Sequence, residues 1–546
     1  MKRIILALLA LSACNTKPKQ EEITSTDAPK LVVGVVVDQM RYDYLTKYVN
    51  HYSENGFKRL VREGYNLENA HYNFIPTKTA VGHASIFTGA TPADHGIIAN
   101  DWYDRFESKS VYCVDDFDFK TIGASSGGQK SPKRMQTTTL SDQLNLDQNF
   151  RGKVIGIAIK DRSSILPAGH TANAAYWFVG KDLGRFISSS YYMEELPNWV
   201  TEFNAENRVN AYLDKGWDTY SPIETYVEST ADNNSYEGAF NGKDKAVFPY
   251  DLSALKEFNG NLDLIKETPF GNSITTDFAL AAITQEKLGK GDFTDFLSIS
   301  YSSTDYVGHR FGVDSKEVED TYVRMDREIE KLLNHLDQEV GKGKYTLFLT
   351  ADHAAVRVPN YLKDNNIPAG YVSNSNLKSF IDDMIQSKYN LSGLVENISN
   401  EQVFLNRKLI LAKGLDLGEV ADFVAQELVN FPTVYKAISG NNLQKSYLGD
   451  GILGRLQRGY NQKYSGDILY INMPSFISYG PTGSTHGSGY NYDTHIPMVF
   501  FGNGIKSGGS SKEYYPIIDL VPTISRALDI SLPNGSSGKI ISEVLK

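Results

Sequence analysis

Short runs of apolar and β-branched residues recur along the chain, and helical patterns lie between them. The runs occupy residues 31–38, 153–160, 296–305, 345–353 and 496–502. Continuous apolar runs of this length predict strands that are buried on both faces, as in a parallel sheet. Apolar residues at helical spacing predict helices over 315–340 and 519–528. The alternation predicts an α/β fold in which a central, mostly parallel sheet carries helices on both faces.

Two long regions do not fit this alternation. Residues 176–270 are rich in Asn, Tyr and Trp, and residues 356–467 have short helical and strand patterns of their own. We interpret both as insertions or caps on one catalytic domain that spans residues 31–546. A chain of 546 residues is long enough for one large domain with such insertions.

The N-terminus has the pattern of an export signal. Lys2 and Arg3 precede a short apolar stretch that ends in "LSAC", which resembles a bacterial lipobox with Cys14 as the lipidated residue. We therefore predict a lipoprotein signal peptide over residues 1–13, a flexible tether over 14–30, and a lipid-anchored protein of the periplasm or cell surface, at the outer membrane. The alternative is an ordinary signal peptide with a chance cysteine. The other cysteine, Cys113, is predicted to be a small core residue.

Composition and charge exclude some classes of function. The chain is 41% hydrophobic and 22% charged, which is typical of globular proteins rather than disordered ones. Its net charge is −10, and no run of Lys and Arg is long enough to follow a phosphate backbone, so we expect no nucleic-acid partner. Because an anionic substrate would approach against this charge, cations within the site would have to attract it.

Polar side chains that bind metals or anions follow four of the predicted strands. They are Asp38, Lys160 with Arg162, Asp305 with His309, and Asp352 with His353. Ligands of open α/β sheets bind beyond the carboxyl ends of the strands, so these groups can converge although they are far apart in the chain. His486, in a Gly/Ser/Thr-rich loop ahead of the last strand, adds a further imidazole. Carboxylate and imidazole groups are zinc ligands, whereas each residue taken alone could be a helix cap or a surface charge.

The candidate nucleophile is Thr79. Pro76 and Thr77 are predicted to open a helix, which places Thr79 in its first turn, where backbone N–H groups favour an anion. A threonine hydroxyl becomes a nucleophile when a dication stabilises its alkoxide. The alternative is that Thr77 or Thr79 only caps the helix. Downstream, Asn100 offers an amide donor for an oxyanion.

These residues, in this order, resemble the alkaline phosphatase superfamily. The resemblance covers most of the chain from Leu31 onward and is most specific to the PafA-type, phosphate-irrepressible alkaline phosphatases. The stretches that carry it are "VVDQMR", "PTKTAVGHASIFTG", "NDWYD", "KDRSSILPAGH", "STDYVGH" and "GDGILGRLQRGYN".

The resemblance implies a site with two Zn²⁺ ions per subunit. It assigns Asp305, His309 and His486 to the first ion, and Asp38, Thr79, Asp352 and His353 to the second. It also implies attack by Thr79, a phosphothreonine intermediate, and phosphoryl oxygens bound by Asn100, Lys160 and Arg162.

The implied function is the hydrolysis of phosphate monoesters by a monomeric, extracytoplasmic phosphate scavenger. Lys160 and Arg162 favour a monoester, which carries one more charged oxygen than a diester. The alternative is a phosphodiesterase of the nucleotide pyrophosphatase/phosphodiesterase type, because that group also uses threonine. A formylglycine sulfatase is disfavoured because no C/S-x-P-x-R motif surrounds Thr79. A lipid-anchored, zinc-dependent binding protein is the non-catalytic alternative, and it would need no nucleophile.

Overall fold

The computed structural model describes residues 28–546. The predicted signal peptide, Cys14 and most of the predicted tether lie outside these residues. Among the described helices, none is both long enough and apolar enough to cross a membrane.

The described residues form one large sheet and three small ones. The strands are β1 (Leu31–Val37), β2 (Tyr65–His71), β3 (Asp101–Asp104), β4 (Lys109–Tyr112), β5 (Thr121–Ile122), β6 (Val154–Ala158), β7 (Ala174–Val179), β8 (Arg185–Ser189), β9 (Asp295–Tyr301), β10 (Tyr345–Thr350), β11 (Gly370–Tyr371), β12 (Val395–Ser399), β13 (Gln402–Leu405), β14 (Val434–Ser439), β15 (Ile468–Asn472), β16 (Phe476–Ile477), β17 (His495–Gly502), β18 (Gly509–Ser511) and β19 (Tyr515–Pro516).

The large sheet has the strand order β18-β2-β17-β10-β1-β9-β6-β7-β8-β5, and β19 pairs with β2. Its centre is parallel: β10, β1, β9, β6 and β7 all run in the same direction. β17 was expected as one more strand of a mostly parallel sheet, and it runs antiparallel to β10. β1, β9, β6 and β10 are buried along their whole length, which explains their continuous apolar sequences.

Helices flank this sheet, as predicted. Across the described residues, the helices of eight or more residues are α1 (Thr79–Thr88), α2 (Leu140–Asp147), α3 (Asp161–Ala168), α4 (Asn198–Ala205), α5 (Phe270–Gln285), α6 (Ser303–Phe311), α7 (Lys316–Leu336), α8 (Asn374–Tyr389), α9 (Leu417–Leu428), α10 (Ile452–Gly459) and α11 (Leu520–Leu528). The shorter α-helices are Tyr44–Lys47, Phe57–Glu63, Pro92–His95, Arg208–Leu213, Leu252–Leu255, Pro359–Asp364, Arg407–Ala412, Gly440–Lys445 and Asn491–Thr494.

The start of α1 differs from the prediction. The helix begins at Thr79 rather than at Pro76 or Thr77, with Lys78 in an extended conformation at its N-cap. The hydroxyl of Thr77 donates to the Ser488 carbonyl instead of capping the helix. Thr79 is therefore the first residue of the helix, still within its first turn.

The two regions predicted as insertions are built differently. The first contributes β7 and β8 to the large sheet, so its irregular part begins after Ser189. The second forms an antiparallel sheet of its own, in the order β12-β13-β15-β14, and extends to Asn472. That sheet packs with α8 and α9 around a separate hydrophobic cluster that includes Leu377, Val403 and Val424.

Candidate metal centre and active site

Four adjacent strands of the parallel core deliver the candidate ligands to one edge of the sheet. Asp38 follows β1 and Asp352 follows β10 by two residues, while Asp305 lies in the first turn of α6, just after β9. Lys160 follows β6, the next strand in the sheet. The convergence predicted from the sequence is therefore present, because neighbouring parallel strands end at the same edge.

One group of candidate ligands contains Asp38, Asp352 and His353, all fully buried. His353 Nε2 lies 3.5 Å from Asp38 Oδ1 and 3.5 Å from Asp352 Oδ2. Asp38 Oδ1 and Asp352 Oδ2 are buried without a hydrogen-bond partner. Buried carboxylate oxygens without a donor are costly, so this arrangement suits a cation.

A second group contains Asp305, His486 and, again, His353. Asp305 Oδ1 lies 3.6 Å from His486 Nε2 and 3.1 Å from Nε2 of His309, the third residue that the resemblance assigned to this ion. The rings of His353 and His486 stack with centroids 3.3 Å apart, so the two groups are contiguous. Backbone carbonyls orient two of the imidazoles: Ser484 O lies 2.7 Å from His309 Nδ1, and Thr77 O lies 2.7 Å from His486 Nδ1. These contacts leave the Nε2 atoms of His309 and His486 directed toward the Asp305 carboxylate.

The electrostatics of these groups favour metal binding. Burial lowers the pKa of His486 to about 3 and that of His353 well below its usual value. Both imidazoles are therefore neutral, as a metal ligand must be. Burial, together with the Asp305 and Asp352 carboxylates, raises the pKa of Asp38 well above its usual range. Burial also raises the pKa of Asp352, to about 7. Asp305 is also buried, but His309 and Lys160 hold its pKa well below its usual value, so Asp38 and Asp352 are the carboxylates that a bound cation would stabilise.

Thr79 lies beside both groups. Its Oγ1 is 3.5 Å from His353 Nε2, and its side chain is buried at the first position of α1. Asn100 Oδ1 accepts a hydrogen bond from the Ala80 backbone N at 2.8 Å. This bond ties the Asn100 amide to the start of the helix and leaves its Nδ2 as the end that can donate.

The two basic residues have different partners. Lys160 Nζ lies 2.7 Å from Asp38 Oδ2 and 2.5 Å from Asp305 Oδ2, between carboxylates of the two groups. Arg162 Nη1 donates to Tyr112 Oη at 2.9 Å, and Tyr112 Oη in turn donates to Asp161 Oδ1 at 2.5 Å. Arg162 Nε is buried without a partner. The Tyr112 hydroxyl thus holds the Arg162 guanidinium at the start of α3.

Sequence reasoning missed three residues of this site. Gln39 bridges two carboxylates, since its Nε2 donates to Asp305 Oδ1 at 2.6 Å and its backbone N donates to Asp352 Oδ1 at 3.1 Å. His83 lies one helical turn after Thr79, with its Nδ1 2.8 Å from the Thr79 carbonyl and 3.4 Å from Asp352 Oδ2. The i, i+4 spacing of Thr79 and His83 could have indicated this contact, whereas nothing in the sequence pointed to Gln39 or Tyr112.

Comparison with known proteins identifies the family. A model of the type I phosphodiesterase / nucleotide pyrophosphatase family matches residues 32–494. Alkaline phosphatase PafA of Elizabethkingia meningoseptica is 43% identical over 547 residues, which cover 100% of this chain and 99% of the relative. The chain belongs to the alkaline phosphatase superfamily, among the PafA-type alkaline phosphatases. Alkaline phosphatases of this kind are metalloenzymes, and the ligand groups described above are consistent with that.

Solved structures of PafA share the fold. The wild-type crystal structure is 44% identical, with a TM-score of 0.91 over 95% of this chain and 99% of that one. A second structure, of a PafA variant with a threonine, an asparagine, a lysine and an arginine substituted, has the same TM-score of 0.91 at 42% identity and the same coverage. A relative from Myroides odoratus named calcium-transporting ATPase is 46% identical over 525 residues, covering 95% of each chain.

Proposed function

We propose that this PafA-type enzyme hydrolyses phosphate monoesters through a phosphothreonine intermediate on Thr79 at a two-zinc site. The observation that carries the proposal is the position of Thr79 Oγ1, 3.5 Å from the imidazole of His353, which belongs to both candidate ligand groups. Thr79 is the first residue of α1, so its hydroxyl lies at the helix N-terminus beside that imidazole.

The proposed ligands are Asp305, His309 and His486 for one zinc, and Asp38, Thr79, Asp352 and His353 for the other. Neutral imidazoles and carboxylates are the ligands zinc prefers, and the unpartnered oxygens of Asp38 and Asp352 match that chemistry. When bound, the ions would act as Lewis acids, lowering the pKa of the nucleophile and stabilising the leaving oxygen. Zinc is proposed over Mg²⁺ because Mg²⁺ favours all-oxygen ligands.

The chain's own residues would supply orientation and charge. The first-turn N–H groups of α1 and the Asn100 amide offer donors to the non-bridging oxygens of the phosphoryl group. Lys160, just after β6, and Arg162, in the first turn of α3, add positive charge. Thr79 attacks phosphorus, the alcohol leaves, and water then releases inorganic phosphate from the phosphothreonine.

The variant of PafA described above supports these assignments. The residue types substituted in that relative are a threonine, an asparagine, and a lysine and an arginine two positions apart. Thr79, Asn100, Lys160 and Arg162 are the residues of this chain with those types and that spacing.

The nucleophile is tested by substitution at Thr79. T79A should abolish both turnover of an aryl phosphate and the covalent phosphoenzyme trapped by acid quench, whereas T79S should keep both at a reduced level. The measurement is intact-protein mass spectrometry alongside steady-state kinetics. A T79A enzyme that still forms a covalent phosphoenzyme would contradict the assignment.

Monoester preference is tested at Arg162, because Lys160 also contacts two candidate ligands. Loss of charge-assisted hydrogen bonds from R162A should lower kcat/KM for an aryl monoester by about 10- to 100-fold. The matching diester, which has one charged oxygen fewer, should lose much less. R151A, on an exposed loop, is the matched control. Equal losses on both substrates would instead favour the phosphodiesterase alternative.

We further propose that the protein is a monomeric phosphate scavenger held outside the cytoplasm by lipid at Cys14. The lipobox-like sequence supports this, and it lies outside the described residues. Membrane fractionation of the wild-type protein and of C14S tests it: the wild type should partition with membranes and C14S should not.

A further inference from the structure

A separate cluster of ligand-type side chains lies outside the active site. His51 ends the 3₁₀ turn Val49–His51, Glu228 follows the 3₁₀ turn Ile223–Thr225, and Glu319 lies in the first turn of α7. One ligand atom from each lies within 4.8 Å of the other two. His51 Nε2 is 3.2 Å from Glu228 Oε2 and 3.5 Å from Glu319 Oε1. Three chain segments that are distant in the sequence thus converge on one point.

Glu319 is fully buried, and its ion-pair contact among the described residues is with the His51 imidazole. Its side chain is 0% exposed, and neither carboxylate oxygen accepts a well-aligned hydrogen bond, although the Ser229 hydroxyl lies close enough to act on it. An unpaired buried carboxylate is strongly destabilising unless it is neutralised. Burial, together with the neighbouring Glu228 carboxylate, raises the pKa of Glu319 to about 7.

The nearby cations supply only part of the neutralising charge: Lys316 lowers the pKa of Glu319, but burial outweighs it. Lys316 Nζ donates to the Tyr226 carbonyl and to Ser229 Oγ, and within the described residues it lies beyond ion-pair distance of Glu228 and Glu319. Arg327 donates to the His51 carbonyl and pairs with Asp326. His51 and Glu228 are 11% and 18% exposed, so the cluster is open to solvent on one side while Glu319 closes the other.

We propose that His51, Glu228 and Glu319 form a further metal site, for a transition-metal dication such as Zn²⁺. One imidazole with two carboxylates gives a donor set suited to zinc or manganese and a neutral complex with a dication. The imidazole argues against Ca²⁺ and Mg²⁺, which bind oxygen ligands. The remaining coordination positions face solvent, so water would complete them.

The site would fasten the first insertion to the core. Glu228 belongs to the irregular region after Ser189, His51 to the segment that follows β1, and Glu319 to α7. α7 follows α6, which carries Asp305 and His309. A metal here would hold the insertion against the helices behind the active site without contacting substrate.

Metal content tests the proposal directly. The full-length protein and its variants would be saturated with zinc, dialysed, and measured by inductively coupled plasma mass spectrometry. E228Q and H51Q should each retain one zinc per chain fewer than the wild type, whatever the number held at the active site. H335Q, a half-buried histidine at the other end of α7, is the matched control and should retain the wild-type content.

A local readout separates this site from the active site. Chelation should speed hydrogen exchange of amides in residues 223–229 in the wild type, while E228Q should exchange fast there with or without zinc. T79A should behave as the wild type at these amides, so failure of the proposed catalytic mechanism would leave this result unchanged. Equal zinc content in wild type, E228Q and H51Q would overturn the proposal and leave a proton shared between Glu228 and Glu319. Retention of Ca²⁺ but not Zn²⁺ would also overturn it.

Discussion

At the scale of single residues, Gln39 shows how the carboxylates are held in place. Its φ of 66° is in the left-handed region, which is uncommon for a residue other than glycine. In this conformation the side-chain amide reaches Asp305 while the backbone N reaches Asp352. Gly308 makes room for it, because an ideal Cβ there would lie 1.8 Å from Gln39 Oε1. A strained residue that joins two candidate ligand groups is typical of a functional site.

We predict that Q39A weakens the enzyme without removing its nucleophile. Loss of the donor to Asp305 should lower kcat/KM for an aryl monoester by about 10-fold, since it removes one hydrogen bond to a charged group. Zinc affinity should fall with it, and excess zinc should restore part of the activity. Q148A, a half-buried glutamine far from the site, is the control. Wild-type kinetics and zinc affinity in Q39A would contradict this role.

Sequence patterns identified the charged residues but not what holds them. Asp305, Asp352 and His353 were predictable because a carboxylate or imidazole directly after a buried strand is chemically unusual. Gln39 has no such signature, since its role depends on a backbone conformation that the sequence does not encode locally. Tyr112, at the end of β4, reaches Arg162 in α3, and such a contact becomes visible only once the chain is folded.

At the scale of elements, the loop before β17 carries His486 and is stabilised by Asp493. The Asp493 carboxylate accepts hydrogen bonds from Gly487 N at 3.2 Å, Ser488 N at 2.8 Å and Ser488 Oγ at 2.6 Å. It is fully buried, and burial raises its pKa to about 7. These three bonds fix the turn directly after His486, which explains why a Gly/Ser-rich stretch is ordered here.

The raised pKa of Asp493 gives a pH dependence with a definite sign. The native state binds this proton more tightly than the unfolded chain, whose Asp pKa is about 3.9. The contribution to stability is therefore full at low pH and decreases as the pH rises from about 4 to 7. D493N cannot ionise, so the difference in unfolding free energy between D493N and the wild type should shift in favour of D493N over that range. Urea denaturation in constant excess zinc measures it, and a pH-independent difference would contradict the prediction.

Element boundaries were predicted less well than element existence. The central strands were found because they are buried on both faces, and α7 because its apolar stripe is long. The start of α1 was missed by two residues, since Pro76 and Thr77 look like a helix start but Thr77 bonds to the distant Ser488. The antiparallel direction of β17 could not be read from its composition, because direction depends on the path of the connecting chain.

At the scale of the whole molecule, the candidate ligands are also structural. Asp38, Asp305 and Asp352 end three adjacent strands, and their mutual repulsion acts on the centre of the sheet. Removal of a bound dication should therefore reduce the stability of the entire domain and not only abolish turnover.

We predict that chelation lowers the melting temperature and that zinc restores it. A ligand present at 100 times its dissociation constant stabilises the native state by about 2.7 kcal/mol. Calorimetry of the wild type with and without chelator should show a loss of unfolding free energy of at least this size, together with a lower melting temperature. A variant that lacks two ligands of one ion, D38N with D352N, should show a smaller rise in melting temperature with zinc than the wild type, because the ligands proposed for the other ion remain. A chelator-insensitive melting temperature in the wild type would contradict the prediction.

The proposed ligand set extends along the chain from Asp38 to His486, which has a consequence for biosynthesis. During translation Asp38 is synthesised more than four hundred residues before His486. A nascent chain that lacks His486 therefore cannot assemble the proposed site. The enzyme should therefore gain activity in a single late folding step, after nearly the whole polypeptide has been synthesised. Contacts between such distant segments also slow folding, and a cell that makes this protein must keep a long, incomplete chain from aggregating while it waits.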